Sequence, residues 1–121
     1  MIEPRKIPWN RTAAEALAPA LGLDVHEIRR QVEEGVAELF IIPAHGYLVT
    51  RIEQAEGQPP ELVLVAGAGH GLDAVVEAFR EIARRNGIGS LRAHCRRPGM
   101  ARMLGRHGFY VLETVYRAEI A

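Results

Sequence analysis

The chain has 121 residues, 48% of them hydrophobic, and its 15 basic and 15 acidic side chains give a net charge of zero. This length supports one domain, residues 1–121, around one sizeable core, and argues against a second. A lone cysteine, Cys95, excludes an internal disulfide, and no apolar run reaches the ~20 residues needed to cross a bilayer.

The opening "MIEPRKIPWNR" lacks the apolar stretch of a secretory signal, so a soluble intracellular protein is expected. "RKIPW" reads as a short extended lead. "TAAE" at Thr12–Glu15 has the form of a capping box and opens a helix ending near Leu21-Gly22, which Pro19 shortens or kinks. "DVHE" at Asp24–Glu27 repeats the signal, and Val25, Ile28 and Val32 form the apolar stripe of a second helix that stops at Gly35.

Residues 36–42 ("VAELFII") and 47–55 ("YLVTRIEQA") alternate as strands joined by "PAHG", which predicts a hairpin. "EGQPP" turns the chain into a third strand, "ELVLVA". Gly67, Gly69 and Gly71 follow at alternate positions, and then Leu72, Val75, Val76, Phe79, Ile82 and Ala83 recur at helical spacing. "RRNG" closes this long helix with basic residues and a glycine cap. "SLRAHC" is expected as a strand and "PGMARMLGRH" as a short helix with Pro98 in its first turn. "FYVLETVYRAEI", residues 109–120, is expected as a closing strand.

A strand, a glycine turn and a helix in this order gather backbone N–H groups and the positive end of a helix dipole at one place, which favours an anion. The spacing Gly-x-Gly-x-Gly departs from the dinucleotide fingerprint, no acid stands about twenty residues on, and no Gly-Lys-Ser or Gly-Lys-Thr follows. From spacing alone, a plain strand-to-helix turn and a phosphate site both stay open. The charge is also unevenly placed. Residues 1–79 carry 12 acids and 6 bases, while residues 80–121 carry 9 bases and 3 acids. Arginine suits bidentate contact with phosphate or carboxylate, but an ordinary solvated helix face has the same composition.

The order of elements resembles the GNAT acetyltransferase superfamily. The resemblance rests on "GAGHGLDAVVEAFREIARRNGIGSLRAHC" and on "ARMLGRHGFYVLETVYR", and it is similar in particular to the short GNAT-like proteins of bacteriophages, which carry "RRPG-x-AR" before a Gly-Phe step. It implies an α+β fold: a mixed central sheet with two N-terminal helices, one long crossover helix and a short C-terminal helix. It also implies that "ELVLVA" and "SLRAHC" run parallel and splay apart around an acyl-CoA, with acetyl-CoA as the candidate cofactor. Gly67, Ala68, Gly69, His70 and Gly71 would then take the pyrophosphate, and nearby arginines would meet the nucleotide's charge.

Several positions depart from the family pattern. Leu64 or Ala66 stands where the loop's first Gln or Arg belongs, Leu104 where a tyrosine acid is common, and Pro98 where an asparagine is frequent. Acyl transfer needs a neutral amine, a donor for the thioester carbonyl and a proton for the leaving thiolate. Tyr116 and Cys95 are the candidates for that proton. Packing roles for both are the alternative. The departures favour a non-catalytic binding or structural protein, with other phage structural proteins as partners and a place in the cytoplasm or a phage particle. An acyl-CoA-dependent N-acetyltransferase is the alternative.

Nucleic-acid binding through the arginine-rich face is a weaker reading, because that face lacks interleaved aromatics and any recognised motif. No membrane partner is expected. The five histidines, His26, His45, His70, His94 and His107, include no i, i+4 pair, so no metal is expected.

Overall fold

A computed structural model describes residues 2–95 and 98–120. Five strands form one mixed sheet in the spatial order β1-β2-β3-β4-β5: β1 Arg5–Ile7, β2 Ala37–Ile42, β3 Gly46–Glu53, β4 Glu61–Gly69 and β5 Ser90–Ala93. The first four are antiparallel neighbours, while β4 and β5 run parallel, Glu61–Leu64 lying beside Ser90–Ala93. This is the parallel pair expected from the sequence. A parallel pair needs a crossover, and α3, Leu72–Arg85, supplies it.

Helices cover both faces. On one side α1, Arg11–Leu21, and α2, Val25–Glu33, bury Ala13, Leu17, Leu21 and Ile28 against Leu39, Val49 and Ala66. On the other, α3 and α4, Pro98–Arg106, bury Val75, Val76, Phe79, Met103 and Leu104 against Ile42, Leu48, Leu62 and Leu64. Phe79 is 1% exposed and meets the edge of Phe40, with ring centroids 5.2 Å apart. Ile82, at the margin of the stripe, is only half-buried.

Four local expectations need correction. The first helix is capped by Asn10, whose side-chain oxygen accepts the Ala13 N–H at 2.9 Å, and not by Thr12, which already lies inside the helix. Asp24 precedes α2 without a side-chain capping bond, because a 3-10 turn at Gly22–Asp24 leads directly into the helix. The third strand extends through Gly67 and Gly69, since β3 continues to pair with it as far as Gly46↔Gly69, and only His70 and Gly71 remain as the turn. Finally, residues 109–120 enter no sheet. They leave α4 with most of their side chains in solvent, because alternation prepares a strand but a ladder also needs an adjacent partner.

Candidate functional site

The site forms where β4 parts from β5. β4 pairs with β3 in regular register from Glu53↔Glu61 to Thr50↔Leu64, and the next pair is Val49↔Ala66, which leaves Val65 unmatched. Val65 is therefore the extra residue of a β-bulge, which bends the strand and increases its twist. The parallel pairing with β5 ends at the neighbouring residue, Leu64↔Ala93. Beyond it, Val65–Gly69 have no described strand on their β5 side.

The bulge also turns the side chains over. Leu62 and Leu64 face the α3–α4 core, whereas Ala66 packs with α1 and Ala68 lies at the margin of that same cluster. Past the last pair, Val65–Gly69 continue along β3, His94 and Cys95 follow the end of β5, and the N-terminus of α3 lies beyond the end of β4.

The glycines are set by a neighbour within the chain. A Cβ on Gly69, at φ +131°, would lie 1.8 Å from the His45 carbonyl oxygen, and one on Gly71, at φ +66°, would lie 2.6 Å from His45 Nδ1. The turn between β2 and β3 braces the turn between β4 and α3 through two bonds: the His70 N–H donates to the His45 carbonyl at 2.9 Å, and His45 Nδ1–H donates to the His70 carbonyl at 3.0 Å. The His70 N–H is thus already engaged. The first N–H groups of α3, at Leu72 and Asp73, have no partner within the helix by its geometry, and they are the donors available to an anion there.

Asp73 adds a negative charge to the same turn. Its carboxylate accepts from His107 Nε2 at 2.8 Å and from Arg106 at 3.2 Å, and the His107 bond, followed by Arg106, holds its pKa below the usual aspartate value. His107 Nδ1 meets Glu77 at 2.9 Å, so the ring is held between two acids of α3 and its pKa is raised, chiefly by Asp73 and then by Glu77. His107 thus ties the end of α4 to α3.

The other arginines that sequence reading grouped as one basic face are also largely matched locally. Arg84 and Arg85 meet Glu81, and Arg80 meets Glu77 and the His107 carbonyl. At the closed end of the β4–β5 pair, Arg92 bonds Glu61 at 2.7 Å and Glu53 at 2.8 Å, while Arg51 bonds Glu53 and Gln31. Glu53 lies directly opposite Glu61. Arg92 relieves that repulsion, and its own pKa is raised, first by the bond to Glu53. Nothing in the linear pattern marked Arg92 for this role, since its partners lie 31 and 39 residues away.

Of the sequence-stated candidates, Gly67, Ala68, Gly69, His70 and Gly71 lie together along the end of β4 and its turn. Cys95 is exposed two residues past the end of β5. Tyr116 is 90% exposed on the terminal segment, apart from the sheet. Arg96 and Arg97, which carry part of the "RRPG" likeness, lie outside the described residues. Val65 and His45 were not singled out for the site, although "PAHG" did mark the hairpin turn that carries His45. Among the described residues no three His, Cys, Asp or Glu side chains gather as metal ligands, and no helix is long and apolar enough to cross a membrane.

No protein-family model matches the chain, and no curated protein matches it. Solved structures do. An acetyltransferase of Trypanosoma brucei superimposes with a TM-score of 0.70 at 12% identity, covering 99% of this chain and 100% of that one. A ribosomal-protein-alanine N-acetyltransferase from Brucella melitensis gives 0.66 at 12%, covering 100% of both. A transcriptional regulator from Bacillus halodurans gives 0.71 at 12%, covering 99% and 100%. At such identities the likeness is one of fold, and the fold is GNAT-like.

Proposed function

We propose, from this GNAT-like fold and its opened parallel pair, that the protein binds an acyl-CoA weakly between β4 and β5 and acts as a binding module without efficient acyl transfer. The bulge at Val65, at the residue where β5 pairing ends, is the observation that carries the reading. An exposed strand edge offers alternating donors and acceptors, which suits the amides of a pantetheine arm. The N–H groups of Leu72 and Asp73 are the donors toward the pyrophosphate. When bound, the ligand supplies an activated thioester.

The residues fit the two ends of such a ligand unequally. Among the described residues no strand occupies the β4 edge beyond Leu64, which leaves it to the arm, but at the phosphate end the His70 N–H is engaged by His45 and Asp73 places a carboxylate in the first turn of α3. A carboxylate near the donors opposes a second anion. Toward transfer chemistry, Cys95 is exposed two residues past the end of β5, and Tyr116 lies off the sheet. Tyr116 is therefore not held in place to supply a proton to a leaving thiolate. The position of Cys95 favours N-acyl transfer as the second reading, with its thiol as the donor.

Calorimetry with acetyl-CoA tests both. The expected result is binding in the high micromolar range, without thiol release in the presence of primary amines. Asp73→Asn should tighten binding about two- to fivefold, in line with the ~0.3–1 kcal/mol of a charge at a helix end. Low-micromolar binding with turnover that Cys95→Ser abolishes would establish the transferase instead, and no binding at all would remove the acyl-CoA reading.

A further inference from the structure

The space over the glycine turn between β4 and α3 is not empty. His45 reaches it from the turn between β2 and β3, and Ala44 just before it has φ +67°, a left-handed backbone that a non-glycine residue seldom adopts. His45 is held from several sides. Its N–H donates to the Ile42 carbonyl at 2.9 Å, its carbonyl accepts the His70 N–H at 2.9 Å, and its Nδ1–H donates to the His70 carbonyl at 3.0 Å. Backbone strain persists where the surroundings over-determine it, and it collects at functional positions.

Glycine serves a phosphate turn because the room a Cβ would take lets the ligand approach the backbone. At Gly69 and Gly71 that room is filled from within the chain. Over Gly69 stands the His45 carbonyl oxygen, and over Gly71 stands the His45 ring, with Nδ1 2.6 Å and Cε1 2.8 Å from the place of a Cβ. Gly71 is the cap residue of α3, next to the Leu72 and Asp73 N–H groups assigned above to the pyrophosphate. The two occupants differ in freedom. The carbonyl belongs to backbone that pairs on into Gly46↔Gly69. The ring is half-buried, is tied among the described residues by one hydrogen bond, and can leave by rotation about its own side-chain bonds.

We propose that the His45 imidazole is a plug in the phosphate end of the acyl-CoA site, an autoinhibitory contact that a diphosphate must displace to reach the N-terminus of α3. The plug rests on the acyl-CoA reading and adds a regulation to that site. The chain divides between a plugged form, with Nδ1–H on the His70 carbonyl, and an open form. Apparent affinity is then the intrinsic affinity reduced by the open fraction. One hydrogen bond of ordinary net strength holds that fraction to about one part in two to ten. Weak binding thereby has a cause on the β2–β3 turn as well as in the Asp73 carboxylate.

Calorimetry with acetyl-CoA, inorganic pyrophosphate and S-acetylpantetheine, which lacks phosphate, tests the plug in the natural chain and in His45→Ala. The variant keeps the His45 carbonyl and so the backbone bond from His70. The expected result is about two- to tenfold tighter binding of acetyl-CoA and pyrophosphate in the variant, with S-acetylpantetheine unchanged. In nitrogen-15 spectra of the natural chain, the His45 Nδ1–H signal should leave its hydrogen-bonded position as pyrophosphate is added. Acetyl-CoA that binds the natural chain, and binds a variant with a still-protected His70 amide equally or more weakly, overturns the plug and leaves the acyl-CoA reading standing. An equal gain for S-acetylpantetheine also overturns it, because the effect would then lie away from the phosphate. Binding of neither phosphate ligand to either chain removes the plug and the acyl-CoA reading together. Where the variant loses protection of its His70 amide, the natural chain decides: an Nδ1–H that stays bonded at saturating pyrophosphate overturns the plug, and its release supports it.

Discussion

Phe79 and Gly69 show how differently a single residue can hold this structure. Phe79 is fully buried between α3 and the sheet, so Phe79→Ala should cost about 3–5 kcal/mol from lost burial and the cavity left behind. Arg84 pairs with Glu81 in open solvent, and Arg84→Ala should be close to neutral. Equal unfolding midpoints in urea for the two variants would mean that α3 faces the other way. At Gly69 the constraint is backbone against backbone. Gly69→Ala would drive a methyl into the His45 carbonyl and should cost ~2–4 kcal/mol, whereas a Cβ on Gly67 meets a movable Leu48 methyl at 3.3 Å. Gly67→Ala should thus be the milder change by urea denaturation. Loss of ligand binding in a Gly69 variant would therefore report a disturbed turn as readily as a lost phosphate contact.

Between elements, the contact of α3 with α4 carries a pH dependence whose two limbs have different owners. Asp73 and Glu77 have lowered pKa values; burial works against Glu77, but Arg80 and His107 outweigh it. Their contribution is present above the ordinary carboxylate range and is lost as pH falls through their folded values. His107 has a raised pKa, first through Asp73. Its contribution is full below the ordinary histidine value of about 6.5 and is lost as pH rises through the raised folded value. The contact should be firmest between the two limits. Thermal unfolding followed across pH checks this: His107→Gln should abolish the decline on the alkaline side and shrink the acid limb to the part that Arg106 and Arg80 supply, since the His107 bond is the first cause of Asp73's lowered pKa. An unchanged alkaline limb would place its cause elsewhere.

Within the sheet, Arg92 ties β5 to both β3 and β4. Arg92→Ala leaves Glu53 and Glu61 facing one another and should cost ~1.5–3 kcal/mol, the range for hydrogen bonds to charged groups. Adding Glu53→Gln should recover part of that loss. A double mutant no more stable than the single one would show that the repulsion is already relieved by solvent.

For the molecule as a whole, the two ends of the sheet are managed differently. β1 is a three-residue strand on one edge and carries Lys6, whose ammonium lies 3.9 Å from Glu38 on β2. Short, charged edges resist further pairing. β5, four residues long, carries Arg92, whose guanidinium is drawn toward Glu53 and Glu61.

Local pattern determined much of this protein. The stripe from Leu72 to Ala83 made α3, the alternation around "PAHG" made the β2–β3 hairpin, and the element order pointed to the parallel neighbours β4 and β5, because period and turn chemistry act over a few residues. What tertiary structure decided lay between distant residues. The bulge at Val65 exists only in register with β3, and His45 explains Gly69 and Gly71 from across two turns. Likewise, Arg92 acquires its role only when Glu53 and Glu61 are brought opposite each other. The terminal segment is the clearest division: its alternation makes a strand possible, but hydrogen bonding belongs to a pair, and among the described residues no strand lies beside it to complete one.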